Sequence, residues 1–311
     1  MARFATYGRT IELGDERILR PGKLLWLRSL VWLVGFTFLL ALSFGPLGEA
    51  LKSLIPGDHL PLQFAARTLG AVVALCVYIL LVRVVENRRP SELALRPALP
   101  ELLVGLLLGL AMFGATMAVL LGTGAYVTEL NEAGPAWQAA GLAIESGVVE
   151  ELIIRGVILR LLWRAFGPMI AFVGSAALFG AGHLPNPGSS LFAALCIALE
   201  AGIMLGAFYA LTGRLWVSIG VHVGWNFTQG YLFGAAVSGG DAGPSLARSA
   251  PAAGHPEWLT GGAFGPEASL PALLVCSSVG IATLWAAWRA GRFSRVDGHH
   301  VREGSTAPPV P

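Results

Sequence analysis

The sequence predicts an all-α fold, a polytopic membrane bundle of about eight transmembrane helices around an intramembrane polar cavity. Of the 311 residues, 55% are hydrophobic and 13% are charged. That charged fraction is about half of what an ordinary soluble domain carries. Eight apolar runs approach or exceed the roughly 20 residues with which a helix crosses a bilayer. Ionisable side chains interrupt three of these runs, and this combination predicts the cavity.

The eight runs define the predicted helices. The first is too long for a signal peptide and leads into further helices, so we expect an uncleaved first helix. The fourth begins near Pro135, and the fifth ends at His183 because Pro185 is incompatible with a continuing helix. The fifth run is close to the lower length limit, which leaves seven helices as an alternative. The runs cover residues 29–46, 64–85, 101–123, 136–166, 168–184, 191–212, 215–235 and 270–288.

Arginine residues set the predicted orientation. They cluster before the first run, between the second and third, near the end of the fourth, between the sixth and seventh, and after the last. The alternate loops carry almost no basic residues, so both termini are expected to be cytoplasmic. The heavy use of alanine, glycine and leucine beside arginine points to a bacterial plasma membrane.

These features divide the chain into successive segments. The loop before the last helix is rich in glycine, proline, alanine and serine, which predicts flexibility. The last residues have a composition typical of disorder. The predicted segments are a cytoplasmic N-terminal segment (1–28), helices one to three (29–128), four central helices that carry the polar motifs (129–236), a flexible non-cytoplasmic loop (237–269), the last helix (270–288) and a cytoplasmic disordered tail (289–311).

Charge and cysteine content exclude several classes of protein. The net charge of +2 is too small to indicate a nucleic-acid partner, and the lipid bilayer is the expected surrounding. Cys76, Cys196 and Cys276 lie in different apolar runs, so neither a disulfide framework nor a zinc knuckle is indicated. We expect all three to be buried, small apolar residues.

The first polar motif lies in the fourth run and reads Glu150-Glu151-Leu-Ile-Ile-Arg155. Residues four apart share a helix face, so Arg155 can neutralise and orient Glu151. Glu150 points about 100° away and is left free to act on water or on a metal, as a general base must. A purely structural Glu–Arg lock would explain Glu151 and Arg155, but it would not explain a second glutamate beside them.

The other two motifs bring histidine and asparagine. Phe179-Gly-Ala-Gly-His183 ends the fifth helix, and its glycines allow the close approach of another helix or of an extended peptide. His222-Val-Gly-Trp-Asn226 places an imidazole and an amide on one face of the seventh helix, suited to a carbonyl oxygen or a metal. Each alone has a structural alternative: an interfacial histidine, a packing phenylalanine, or a polar contact between helices.

At these residues the sequence resembles the CPBP family, the type II CAAX prenyl endopeptidases and their bacteriocin-processing and abortive-infection relatives. The family pattern is EExxxR, FxxxH and then HxxxN or HxxxD, and all three occur here in order between Ile144 and Phe227. The resemblance implies a helical bundle around a cavity in which a peptide bond of a peptide or membrane-protein substrate is cleaved.

The resemblance also implies residue roles. Glu150 would activate water with His183, His222 and Asn226 would stabilise the oxyanion, and Glu151 and Arg155 would support them. In the metalloprotease account of the family, zinc would be held by Glu150, His183 and His222.

Two other classes of function stay open on the sequence. A non-catalytic membrane partner, such as a bacteriocin-immunity factor, would use the polar cluster only to hold its helices together. A cation or proton transporter would use the same buried groups for flux. The sequence shows no internal repeat, which counts against transporters built from inverted halves.

Overall fold

The computed structural model describes residues 8–56, 59–132 and 134–293, and the predicted disordered tail lies almost entirely outside them. Helices form most of the described chain and only one two-stranded sheet accompanies them there, so the all-α fold class is confirmed. The helices are α1 (Leu25–Phe44), α2 (Pro46–Ser53), α3 (Leu60–Leu81), α4 (Ala98–Gly122), α5 (Trp137–Glu151), α6 (Arg160–Phe166), α7 (Pro168–Gly182), α8 (Leu191–Ile197), α9 (Met204–Thr212), α10 (Trp216–Phe227), α11 (Glu257–Thr260) and α12 (Leu270–Arg289).

Stretches of π-helix continue several of these helices without a break. They follow α3, α5, α8 and α10 at Val82–Glu86, Leu152–Leu159, Ala198–Ile203 and Thr228–Leu232. Short 3₁₀ turns lie at Arg17–Leu19, Ser91–Leu93 and Pro266–Ala268. Residues 137–166 and 191–212 therefore each form one long helical segment. Such π-helical turns are rare and occur mostly at functional sites.

Five helical segments of the described chain are long and apolar enough to cross a membrane. Three further segments, 137–166, Pro168–Gly182 and 216–232, occupy the remaining predicted positions but are too charged or too short to meet the same criteria. These three carry every residue of the three polar motifs, His183 lying directly after the second. The five apolar segments are Leu25–Ala50, Leu60–Glu86, Ala98–Gly122, Leu191–Thr212 and Leu270–Arg289.

Burial separates the five apolar segments into inner and outer ones. The span Leu191–Thr212 is 61% buried, whereas the other four are between 19% and 33% buried. A helix that touches lipid keeps much of its surface outside the protein, so the four outer spans form the wall of the bundle. Leu191–Thr212 lies inside this wall, next to the segments that carry the motifs.

Close glycine contacts hold α10 against α4. A Cβ atom at Gly105 or Gly109 of α4 would lie 2.4 or 2.2 Å from the carbonyl oxygen of Val217 or Val221. Gly220 and Gly224 of α10 are equally tight against the backbone of α4. This pairing of two Gly-xxx-Gly patterns is the contact that lets membrane helices approach most closely. It fixes α10, and with it His222 and Asn226.

Buried ion pairs fasten the segment 137–166 to its neighbours. Arg160 donates two hydrogen bonds to the Glu86 carboxylate, at 2.9 and 2.7 Å, and Trp32 donates a third at 2.9 Å. Arg88 joins Glu86 to Glu92; burial raises the pKa of Glu92, but Arg88 outweighs it and the pKa is lowered. Arg160 and Arg88 belong to the arginine clusters from which the orientation was predicted, and here they also neutralise buried acids.

The segment predicted as a flexible loop contains defined structure. Strand β2 (Ala247–Pro251) pairs antiparallel with β1 (Tyr126–Leu130), with Tyr126 opposite Pro251. The Tyr126 hydroxyl donates to the carbonyl of Thr260 at 3.1 Å, which ties α11 to the same sheet. These contacts, which composition cannot show, hold the segment against the ends of α4 and α12.

Two of the three cysteines follow the sequence prediction. All three are free thiols; Cys196 and Cys276 are buried. Cys76 is exposed, because it lies on α3, one of the outer spans. The outer face of a membrane helix is as apolar as its inner face, so hydropathy alone does not distinguish the two.

Candidate active site

Glu151 connects two of the polar motifs. Its Oε1 atom accepts a hydrogen bond from Arg155 at 2.7 Å, as the four-residue spacing predicts, and a second from Nδ1 of His222 at 3.0 Å. Glu151 and Arg155 are fully buried. Because Nδ1 of His222 donates to Glu151, its Nε2 atom points away, into the site. The sequence predicted the Glu151–Arg155 pair, but not the contact with His222.

Arg155 also binds the backbone of the inner span. Its guanidinium donates to the carbonyls of Ala201 and Gly202, within the π-helical turn Ala198–Ile203. A π-helical turn leaves carbonyls without their usual helical partners, and a buried guanidinium has donors to spare. Arg155 therefore joins the segment 137–166 to the inner span at the depth of the site.

Glu150 is the less constrained of the two glutamates. Its side chain is 34% exposed, whereas that of Glu151 is fully buried. The Oε2 atom of Glu150 has no hydrogen-bond partner among the described residues and lies 3.8 Å from Nε2 of His222. Because the Glu150 side chain is partly exposed beside an imidazole, its carboxylate is available to take a proton from water.

His183 and His222 lie on two sides of Phe179. The ring centroid of Phe179 is 4.8 Å from that of His183 and 6.5 Å from that of His222, with both contacts edge-on. The guanidinium of Arg155 lies over the same ring at 4.9 Å. Phe179 thus contacts residues of all three motifs. The sequence had indicated only a packing role for it.

The tautomer of His183 follows from its backbone contact. Its Nδ1 atom lies 2.9 Å from the carbonyl oxygen of Phe179, an acceptor, so the proton is on Nδ1. The Nε2 atom of the neutral ring is then an acceptor for water. Asn226 donates from Nδ2 to Ser146 at 3.1 Å and keeps a second amide hydrogen for another acceptor.

Glu150 and His183 line one open cleft of about 290 Å³. Gly180 and Gly182 differ in what surrounds them. A Cβ atom at Gly180 would lie 2.2 Å from the carbonyl of Ala194, whereas one at Gly182 would meet nothing within 4 Å. Gly180 is therefore the close contact with a neighbouring helix, and Gly182 leaves space in the cleft beside Glu150.

The zinc ligands that the resemblance predicts are Glu150, His183 and His222. No three His, Cys, Asp or Glu side chains of the described chain lie close enough together to hold a metal ion. His183 directs its Nδ1 atom to Phe179, and His222 directs its Nδ1 atom to Glu151. Both contacts leave the Nε2 atoms free to face the site, and zinc stays a prediction of the resemblance.

Two further acids lie beside the motifs and were missed on the sequence. Glu200 belongs to the inner span and Glu267 to the turn before α12, and both are 3% exposed. A signal for Glu200 was present, since it is the only charged residue between Leu191 and Thr212. Glu267 lies in the loop before α12, and only the fold brings it to the site.

Residues 132–228 match the family model described as Rce1-like, type II CAAX prenyl endopeptidase. We call this segment, which is similar to that family, the Rce1-like domain. The resemblance predicted from the three motifs is thereby confirmed, and the family is one of intramembrane proteases that act on peptide or protein substrates. No curated protein and no solved structure matches the chain.

The Rce1-like domain extends from just before α5 to the π-helical turn after α10. It includes all three motifs and the inner span that contacts Arg155. The spans α1, α3, α4 and α12 lie outside the match, as does Glu267. The five apolar spans and the match to a membrane-protease family over residues 132–228 indicate a multi-pass membrane protein.

Proposed function

We propose that the protein is an intramembrane endopeptidase that hydrolyses a peptide bond of a membrane-associated protein or peptide, with Glu150 as the general base. One observation carries the proposal. Of two adjacent glutamates, Glu151 is fully engaged by Arg155 and His222, while the side chain of Glu150 is 34% exposed and lines a cleft that it shares with His183. A structural ion-pair cluster has no need for that second carboxylate.

The proposed reaction begins with water between Glu150 and His183. Glu150 takes one proton, Nε2 of His183 accepts a hydrogen bond from the other O–H, and the hydroxide oxygen attacks the peptide carbonyl carbon. The carbon–nitrogen bond then breaks, and Glu150 returns its proton to the departing amine. Positioned acid–base groups of this kind contribute about 10²–10⁴-fold each to the rate.

His222 and Asn226 are suited to the negative charge that develops on the carbonyl oxygen. Glu151 holds the His222 ring through Nδ1, and Nε2 of the ring lies 3.8 Å from Glu150. When Nε2 carries a proton, it can donate a hydrogen bond to that carbonyl oxygen. That N–H and the remaining amide hydrogen of Asn226 are the candidate oxyanion donors. Loss of one such donor costs about 10²–10³-fold in kcat in other hydrolases.

The test compares the N- and C-termini of membrane proteins in cells that produce the wild type or Glu150→Gln at equal levels. The same change at an exposed glutamate, Glu132→Gln, is the matched control. We expect defined new termini with the wild type and with Glu132→Gln, and none with Glu150→Gln.

Identical termini in all three strains, under conditions where deletion of the gene has a phenotype, would overturn the proposal. The polar cluster would then serve a non-catalytic membrane partner. Cleavage that persists in Glu150→Gln would retain the protease but remove Glu150 from its mechanism.

A further inference from the structure

Glu200 and Glu267, two acids that the proposed hydrolysis does not use, line a cavity. The cavity measures about 50 Å³ and is also bordered by His183, His222 and Asn226. We call it the acidic cavity. Because His183 borders both the acidic cavity and the Glu150 cleft, a group inside the acidic cavity lies next to the proposed site of bond cleavage.

The protein does not neutralise the two carboxylates itself. Neither lysine nor arginine is among the described residues that line the acidic cavity. Glu267 accepts hydrogen bonds from the backbone N–H and the hydroxyl of Ser238, at 2.7 and 2.8 Å. Glu200 has an oxygen, Oε1, without any hydrogen-bond partner in the described chain. Two buried acids without a cation are costly, which indicates that a partner comes from outside.

The pKa of Glu267 is consistent with the lack of a cation in the acidic cavity. Burial raises the pKa of Glu267, and the hydrogen bonds from Ser238, which lower it, do not fully oppose the rise. Glu200 and Glu267 also repel each other electrostatically. A positive charge between them would remove both effects.

The walls of the acidic cavity suit the stem of a long basic side chain. Ile197, Met204, Leu205 and Val221 line it beside the two acids. Lysine and arginine pack their methylene groups on apolar surface and place the charge at the tip. A cavity must offer about 10–15 Å³ to hold one water molecule. The acidic cavity, at about 50 Å³, therefore accepts a group of a few heavy atoms.

We propose that the acidic cavity is a specificity subsite for a basic side chain of the substrate, a lysine ammonium or an arginine guanidinium bound between Glu200 and Glu267. The subsite rests on the proposed endopeptidase function and adds a substrate class to it. The substrate backbone would lie in the Glu150 cleft, and its basic side chain would extend past His183 into the acidic cavity. The bond cut would then lie within a few residues of a lysine or arginine.

Cys276 lines the acidic cavity and provides a probe that does not depend on catalysis. In protein that carries Cys76→Ala and Cys196→Ala, Cys276 is treated with a cationic aminoethyl or an anionic sulfonatoethyl methanethiosulfonate. Each rate is divided by the reagent's rate with a small free thiol. We expect the cationic reagent to react at least about tenfold faster, because two nearby carboxylates attract it and repel the anion.

The variants Glu200→Gln and Glu267→Gln should each lower this ratio, and the double variant should bring it close to one. Glu132→Gln should leave it unchanged. If the double variant does not fold, the labelling ratios of the two single variants test the proposal. A ratio near one in the parent protein, or no reaction with either reagent, would overturn the proposal, since the acids would then be protonated or closed to cations.

The termini released in cells test the substrate part of the proposal. Sites cut by the wild type should carry lysine or arginine at one fixed position, and the share of such sites should fall in the double variant. Cleavage without a basic preference would overturn the subsite even if the labelling is cation-selective. If the wild type cuts nothing, the endopeptidase function fails, whereas the labelling still reports whether the acidic cavity takes a cation.

Discussion

Adjacent glutamates in one helix point in different directions, because a helix turns about 100° per residue. They can therefore have different roles. Glu151 faces Arg155 and His222 and is fully buried, so its charge is used for structure. Glu150 lines the cleft, and its side chain is 34% exposed. The sequence predicted this division from spacing alone. It could not predict that Glu151 also orients His222, because that contact joins two helices 71 positions apart.

Removal of Arg155 tests the structural half of this division. Arg155→Met leaves the Glu151 carboxylate buried without its cation, so we expect a loss of about 3–5 kcal/mol in unfolding free energy. Glu151→Gln combined with Arg155→Met removes both charges and should regain most of that loss. The measurement is equilibrium unfolding of the detergent-solubilised protein.

The control for Arg155 is Arg89→Met, which removes an exposed arginine. Substitutions at such positions change stability by no more than about 0.5 kcal/mol. If Arg155→Met were as mild as Arg89→Met, the Glu151–Arg155 pair would not support the site as described.

At the scale of helices, the site depends on how closely α10 approaches α4. Gly109→Ala would place a methyl group 2.2 Å from the carbonyl oxygen of Val221 and 2.7 Å from the backbone nitrogen of Trp225. The helices must separate to admit it, at a cost of about 1–3 kcal/mol. Because α10 carries His222 and Asn226, we also expect cleavage to fall.

Gly114→Ala on the same helix is the matched control, since a Cβ atom there would meet nothing within 4 Å. Alanine is favoured over glycine in a helix by up to about 1 kcal/mol, so this variant should be neutral or stabilising. Unfolding and cleavage measured side by side separate the two outcomes. Equal effects of the two variants would mean that helix propensity, and not the close approach of α10 to α4, determines the change in stability and cleavage.

The helices themselves were largely predictable, and their contacts were not. The apolar runs placed the fourth helix at 136–166 and the structure has it at 137–166. The spacing of Gly105 to Gly109 and of Gly220 to Gly224 was visible, but nothing along the chain states that these two pairs face each other. The same holds for Glu200 and Glu267, which meet only through the fold.

At the scale of the whole molecule, buried ion pairs join distant parts of the chain, and the network around Arg160 and Glu86 is one of them. Arg160 and Glu86 are separated by 74 positions and pair only once the segment 137–166 lies against the first spans. On the sequence, Arg160 contributed to the predicted orientation as a charge near a helix end. In the structure it is fully buried and neutralised by Glu86, so it contributes less to that orientation than a free arginine would.

The remaining arginines still predict the orientation. Arg83, Arg89 and Arg96 are exposed around the loop between the second and third spans, whereas Arg248 is the only basic residue between 237 and 269. Free positive charges stay on the cytoplasmic side, so this loop should be inside and the segment 237–269 outside. The test is labelling of single cysteines in intact cells with a maleimide that cannot cross membranes.

For this labelling, Arg89→Cys and Ala253→Cys are introduced separately into protein without its native cysteines, both at exposed positions. Ala253→Cys should react in intact cells, and Arg89→Cys only after the membrane is permeabilised. The reverse pattern would show the opposite orientation. It would also move the opening of the Glu150 cleft to the other face of the membrane, and the search for substrates would have to change compartment with it.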